Sequence, residues 1–133
     1  MFRGLPADAL RTASVSATRP PFWTLTPAYC EDIHIHDLRV TAPMDRIGNT
    51  DGVNIDSCRR VVVENVWIDN SDDGVCMKSG LDGFGLNLGI PSEDVLVQNI
   101  TCADAGRGGF AIGSEMSGGV RNVTCARTLP DLP

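Results

Sequence analysis

The chain has 133 residues, 42% of them hydrophobic and 21% charged, with a formal net charge of −6. That size suits one compact domain, and the composition excludes a disordered tail. No apolar run approaches the roughly 18 residues of a membrane span, and the acidic balance speaks against nucleic acid as a partner.

Residues 1–18 share no pattern with the rest of the chain. They are expected to form a separate N-terminal segment, a cap or a disordered lead, before a repeat domain over residues 19–133. Pro6 to Ala13 predicts one or two helical turns, and the first 17 residues lack the continuous apolar stretch of a signal peptide. From Arg19 the pattern is strand-like, with Trp23 and Leu25 expected in phase with Val53 and Ile55. Cys30-Glu-Asp-Ile33-His-Ile35-His-Asp-Leu38-Arg-Val40 then opens a repeat. Its relatives begin at Cys58 and Ser92, and a partial copy begins at Gly119.

Ile33 to Val61 is 28 residues, Val61 to Val95 is 34, and Val95 to Val123 is 28. The excess of six falls at Leu81–Ile90, read as a glycine-rich loop. Apolar residues two apart, many of them β-branched, predict strands rather than helices. A period near 28 with short strands predicts a solenoid in which each period is one coil. The fold class is therefore all-β: a right-handed parallel β-helix of about four coils, partial in extent.

A second repeat lies between copies of the first. Asn49-Thr50-Asp51-Gly52-Val53-Asn54-Ile55-Asp56-Ser57 returns as Ser71-Asp72-Asp73-Gly74-Val75-Cys76-Met77-Lys78-Ser79, then as Gly106-Arg107-Gly108-Gly109-Phe110-Ala111-Ile112-Gly113-Ser114. Stacked at about 4.8 Å per coil, Val53, Val75 and Phe110 form one inward column and Ile55, Met77 and Ile112 the next. Asp56 and Lys78 stand outward and are expected to form a surface ion pair. Asp51 stacks on Asp73, and Asp72 falls level with Arg107, so three aspartates converge on one corner. Turn chemistry explains single Asp-Gly pairs. It explains stacked like charges poorly, because these repel. A carboxylate-based site leads, with a metal-binding turn and plain turn chemistry as the alternatives.

Other features read as structural. The five cysteines, with no CxxC pair, serve as small core residues, and His34 and His36 lie on a solvated face. Trp67 faces outward. Asn99-Ile-Thr101 and Asn122-Val-Thr124 are sequons that matter only in a eukaryotic secreted protein.

The motifs Asn49-Thr50-Asp51, Asp72-Asp73 in Ser-Asp-Asp-Gly-Val-Cys-Met-Lys-Ser-Gly, Gly113-Ser-Glu-Met-Ser-Gly-Gly119 and Pro21-Phe-Trp-Thr-Leu25 resemble those of the polygalacturonase-like glycoside hydrolases, family 28. The likeness runs from about Pro20 to Asn122. It implies hydrolysis of α-1,4-galacturonosyl linkages in pectin with inversion, without a cofactor or metal, by a secreted protein. By the same likeness Asp72 is the general acid, which must be protonated, while Asp51 and Asp73 hold and deprotonate the attacking water. Asn49, Lys78 and Arg107 are the expected substrate-binding residues. Arg46, Lys78, Arg107 and Arg121 would supply local positive charge for an acidic polymer.

Two departures from the family pattern bear on activity. Arg107 stands where the family has the His of Gly-His-Gly; it cannot exchange protons but suits a two-pronged contact with a uronate. The family's Arg-Ile-Lys motif would follow Ala126 and is absent, as are earlier coils. A weakly active or inactive chain is therefore expected, with open coil ends that invite self-association. A non-catalytic carbohydrate-binding or structural solenoid, and a calcium-dependent pectate lyase-like enzyme, are the alternatives.

Overall fold

The computed structural model describes residues 10–42, 48–103 and 108–130, with side chains as far as Ala126. Ten strands and one short helix run in the order β1 (Arg11–Thr12), β2 (Val15–Thr18), β3 (Glu31–His36), β4 (Leu38–Ala42), β5 (Val53–Asp56), β6 (Arg59–Asn70), β7 (Asp73–Lys78), α1 (Asp82–Leu88), β8 (Ser92–Cys102), β9 (Gly108–Ile112) and β10 (Val120–Pro130). Every named strand pair is parallel. A long ladder runs from β1 and β2 through β3 and β4 to β6, β8 and β10, and a short one through β5, β7 and β9. The chain crosses from one ladder to the other in each turn, which makes a parallel β-helix.

The register follows the sequence spacing. Ile33, Val61, Val95 and Val123 stack in one column, and so do Val53, Val75 and Phe110. The long ladder contributes Ile35, Val63, Val97, Ile68 and Ile100 to a fully buried core, and the short ladder contributes Ile55 and Met77. Ile112 continues the Ile55–Met77 column but is half exposed.

Within each long strand the inward residues change phase: Ile33 and Ile35 give way to Leu38 and Val40, and Val61 and Val63 to Val66 and Ile68. The residue at the break carries a left-handed backbone in each copy, at Ser14, Asp37, Asn65 and Asn99. That bend turns both halves of the strand toward the core. Small polar residues bear this conformation at least cost after glycine. The Asn99 amide also donates to Asn65 Oδ1 across the corner, at 2.6 Å. On the solvent side, acids and bases alternate from coil to coil. Arg59 pairs with Glu31 at 2.7 Å, and Arg121 pairs with Glu93. Exposed pairs of this kind add little each.

Three expectations change here. Residues 11–12 and 15–18 are strands paired with β3 and β4, so the expected helical turns are not formed in the described part of Pro6–Ala13. The ladder thus begins ahead of Arg19. The Leu81–Ile90 insert holds the helix α1, not only a loop; Gly89 caps it in a left-handed conformation, its N–H donating to Gly85 O. A side chain at Gly85 would collide with the Gly80 backbone at 2.6 Å, so the glycines admit this packing. Trp23 lies two residues from its expected register, because Leu25 rather than Trp23 bridges to Val53. No helix among the described residues is long and apolar enough to cross a membrane.

Candidate active site

The polar entries to the short ladder are placed by a column of glycines. Val53, Val75 and Phe110 are in register, so Gly52, Gly74 and Gly109 stack as well. A Cβ at Gly52 would lie 2.6 Å from Gly74 O, and one at Gly74 would lie 2.6 Å from Gly109 O. Only glycine allows the turns to nest this closely. Gly52 N donates to Asp73 O at 3.0 Å, which locks the two turns together. The buried Asn70 amide donates to both Thr50 O (2.8 Å) and Asp73 O (2.7 Å). Thr50 Oγ1 in turn accepts from Ser71 N. Spacing does not single out Asn70, and Thr50 stands out only as the middle residue of Asn49-Thr50-Asp51.

Adjacent residues of a strand point to opposite faces, so Asp72 and Asp73 can share a cleft only where the chain bends. It bends at Ser71–Asp72, one step before β7 begins. Asp51, Asp72 and Asp73 consequently line one cleft of about 690 Å³, together with Asn49, Lys78 and Trp23. Asp51 and Asp73 each bring a carboxylate oxygen to within 4.8 Å of the other. Asp51 and Asp72 are buried, and Asn49 is exposed at the rim with a left-handed backbone. Arg107 and Arg46 lie outside the described residues.

Lys78, expected to pair with Asp56 at the surface and to bind substrate, instead faces Asp51 and Glu115. It is in register with Asp56, but Asp56 accepts from Gly80 N at 2.9 Å and Ser57 Oγ at 3.1 Å. The Lys78 side chain is 5% exposed; its Nζ lies 2.7 Å from Glu115 Oε2 and 3.6 Å from Asp51 Oδ2. The Trp23 ring centroid is 4.3 Å from the same nitrogen. The expected Asp56–Lys78 surface pair is thus replaced by contacts of a buried Lys78 with the buried Asp51 and the partly exposed Glu115. Strand register aligned the two residues, but a long flexible side chain reaches the denser negative charge nearby.

Burial pushes the Asp51 carboxyl above the usual aspartate range. The Lys78 ammonium opposes that push, and Asp72 and Asp73 add to it. For Lys78, burial disfavours the charge, yet the Glu115 hydrogen bond and its other neighbours leave it above the usual lysine value. Glu115 moves the other way, held below the ordinary glutamate range chiefly by its bond from Lys78.

Asp51, Asp73 and Cys76 could each offer one donor atom to a metal. Two features oppose a divalent ion there. An ammonium already stands 3.6 Å from Asp51, and the buried Cys76 thiol is pushed up to about 11 by desolvation while donating to Gly113 O at 2.8 Å. Among the other candidates, His34 pairs with Glu64 at 2.8 Å outside the cleft. Trp67 faces outward beneath the Arg39 guanidinium at 3.5 Å.

Residues 9–128 match the family described as Glycosyl hydrolases family 28. The chain is 35% identical over 114 residues to a probable polygalacturonase of Vitis vinifera, covering 86% of this chain and 23% of that protein. It is 35% identical over 85 residues to a polygalacturonase of Persea americana, covering 64% of this chain and 15% of the relative. The crystal structure of a hyperthermoactive exopolygalacturonase from Thermotoga maritima superposes with a TM-score of 0.82 at 36% identity, covering 89% of this chain and 26% of that one. The chain thus spans about a quarter or less of the length of these proteins. With a right-handed parallel β-helix and a family match over nearly its whole length, the chain belongs to glycosyl hydrolase family 28.

Proposed function

We propose that this chain carries the catalytic wall of a secreted polygalacturonase-type hydrolase, cleaving α-1,4-galacturonosyl linkages of pectic polysaccharide with inversion. The observation that carries the reading is the convergence of Asp51, Asp72 and Asp73 on one open cleft. Inversion needs a single displacement: an acid protonates the departing glycosidic oxygen while a base draws a proton from water on the opposite face of the sugar. Asp72, set apart by the bend, takes the acid role. Asp51 and Asp73 take the water, and their close oxygens suit a shared water molecule. The raised basicity of Asp51 favours proton abstraction, and Lys78 keeps it ionised.

Asn49 remains a substrate-binding residue, exposed at the rim. Lys78 moves from that role to support of Asp51, because both its carboxylate partners lie within the protein. A calcium-dependent lyase fits less well: calcium prefers an all-oxygen shell, and here an ammonium and a protonated thiol occupy the neighbourhood. Self-association through the outer edges of β9 and β10 is a further part of the proposal, tested by sedimentation.

The test is reducing-end release from polygalacturonate over long incubations, comparing the chain with Asp72→Asn. Slow release that vanishes in the variant, with unchanged circular dichroism, is the expected result. Equal release by both proteins removes Asp72 as the acid. Binding to pectin with no release by either supports a non-catalytic solenoid instead, and products carrying a double bond support a lyase.

A further inference from the structure

Glu115 has no assigned part in the chemistry, yet it makes the shortest contact to the cation of the site. Its position is fixed from several sides. Ser79 N donates to Glu115 O at 2.7 Å, and Gly118 N donates to Ser79 O at 2.7 Å, so the loop carrying Glu115 is tied to the end of β7 just after Lys78. Ser114 Oγ donates to Glu115 Oε1 at 3.2 Å, which leaves Oε2 for the ammonium. On another side the Trp23 ring lies 4.3 Å from the ammonium.

Two carboxylates therefore compete for one buried ammonium, and the distances are unequal. Glu115 holds it at 2.7 Å, within hydrogen-bond contact, while Asp51 stands at 3.6 Å, beyond it. A direct charge-assisted bond to Asp51 would stabilise its carboxylate strongly and make it a poor base. With no cation nearby, a buried carboxylate flanked by Asp72 and Asp73 would hold its proton instead.

We infer that Glu115 is a positioning residue for Asp51: by drawing the Lys78 ammonium onto itself it keeps that charge near Asp51 without letting it bond there. The inference rests on Asp51 acting as the base in the proposed hydrolysis. The groups bearing on Asp51 are Lys78, Asp73 and Cys76 on β7, Asp72 in the bend before it, the Asn54 side chain on β5, and Glu115 through Lys78. Only the last exerts its effect by moving another charge, and that makes it separable by experiment.

The experiment follows the Asp51 carboxyl carbon by NMR against pH in five proteins: the unsubstituted chain, Glu115→Gln, Glu115→Asp, Lys78→Met, and the double variant of Glu115→Gln with Lys78→Met. Glu115→Gln frees the ammonium to close on Asp51, so its titration midpoint falls. Lys78→Met moves the midpoint up. In the Lys78→Met background, Glu115→Gln has little further effect, because the charge it steered is gone. Glu115→Asp, which keeps the charge on a shorter arm, moves the midpoint in the same direction as Glu115→Gln but less far.

Where turnover is measurable, Glu115→Gln also raises the rate on the acid limb relative to the plateau, by about threefold, and lowers the plateau itself. An Asp51 midpoint unmoved by Glu115→Gln, or moved equally in both backgrounds, overturns the inference. A merely structural Glu115 would lower the rate at every pH and leave the limb in place. The carboxyl titration needs no substrate, so a chain that titrates as described but releases no reducing ends contradicts the proposed function and leaves the positioning role intact.

Discussion

The glycine column beneath the carboxylates makes a quantitative claim. In Gly52→Ala the new methyl carbon would lie 2.6 Å from Gly74 O, 2.8 Å from Ile68 Cδ1 and 3.1 Å from Ile68 Cγ2. The Ile68 side chain is itself fully buried. The carbonyl is backbone in a stacked turn, so relief requires the two coils to part by several tenths of an ångström. Overpacking a tight core costs roughly 1–3 kcal/mol, and with a backbone atom in the way the upper end applies, about 3 kcal/mol. For a chain of this length that corresponds to a fall in melting temperature of roughly 10 °C.

Gly83→Ala is the matched control. That glycine sits on the exposed face of α1, and a Cβ there meets nothing within 4 Å. It should gain about 0.5–1 kcal/mol from the better helix propensity of alanine. Thermal and urea unfolding of both variants, followed by circular dichroism, decide the matter. If Gly52→Ala unfolds no earlier than Gly83→Ala, the close nesting of the Asp51 and Asp73 turns is wrong, and the site geometry built on it falls.

The electrostatics of the cleft and the corners of the coil give further expectations. The folded-state pKa of Asp51 lies above its unfolded value, so its ionisation costs nothing below the ordinary aspartate range and weighs against folding as pH rises through the folded value. Asp51→Asn removes that burden, so its melting temperature relative to the unsubstituted chain should climb between acid and neutral pH. A pH-independent difference would refute the assignment. Asn99 carries a left-handed backbone, φ 51°. Asn99→Ala should therefore cost about 1 kcal/mol or more in urea unfolding, and Asn99→Gly distinctly less. Equal losses would mean that the amide bond to Asn65, rather than backbone conformation, sets the corner.

Much of this architecture is written in the chain as spacing. Ile33, Val61, Val95 and Val123 recur at coil intervals, and inward-facing β-branched residues cannot stack any other way without exposing the core. The stacking of Asp51 on Asp73 follows from the same arithmetic, whereas Asp72 joins them because the chain bends at Ser71–Asp72. What escaped it depends on contacts that no period encodes. Gly83 and Gly85 argue against a helix by propensity, yet the packing of Gly85 on Gly80 accommodates α1. Strands of two and four residues at Arg11–Thr12 and Val15–Thr18 are too short to show an alternation. Lys78 could be placed to within a strand position but not to a partner, because Glu115 lies 37 residues away in a loop without repeat. One signal was available: a buried lysine needs a carboxylate, and Glu115 sits in the loop after β9.

Hydrolysis of a uronosyl linkage by three aspartates in a single displacement would invert the anomeric carbon. Proton NMR of the earliest products from α-linked galacturonate oligomers, at high protein concentration, tests it most directly. New reducing ends should appear first as the β anomer, and Asp72→Asn should yield none. Products formed first as the α anomer, or bearing an unsaturated ring, would contradict single-displacement hydrolysis.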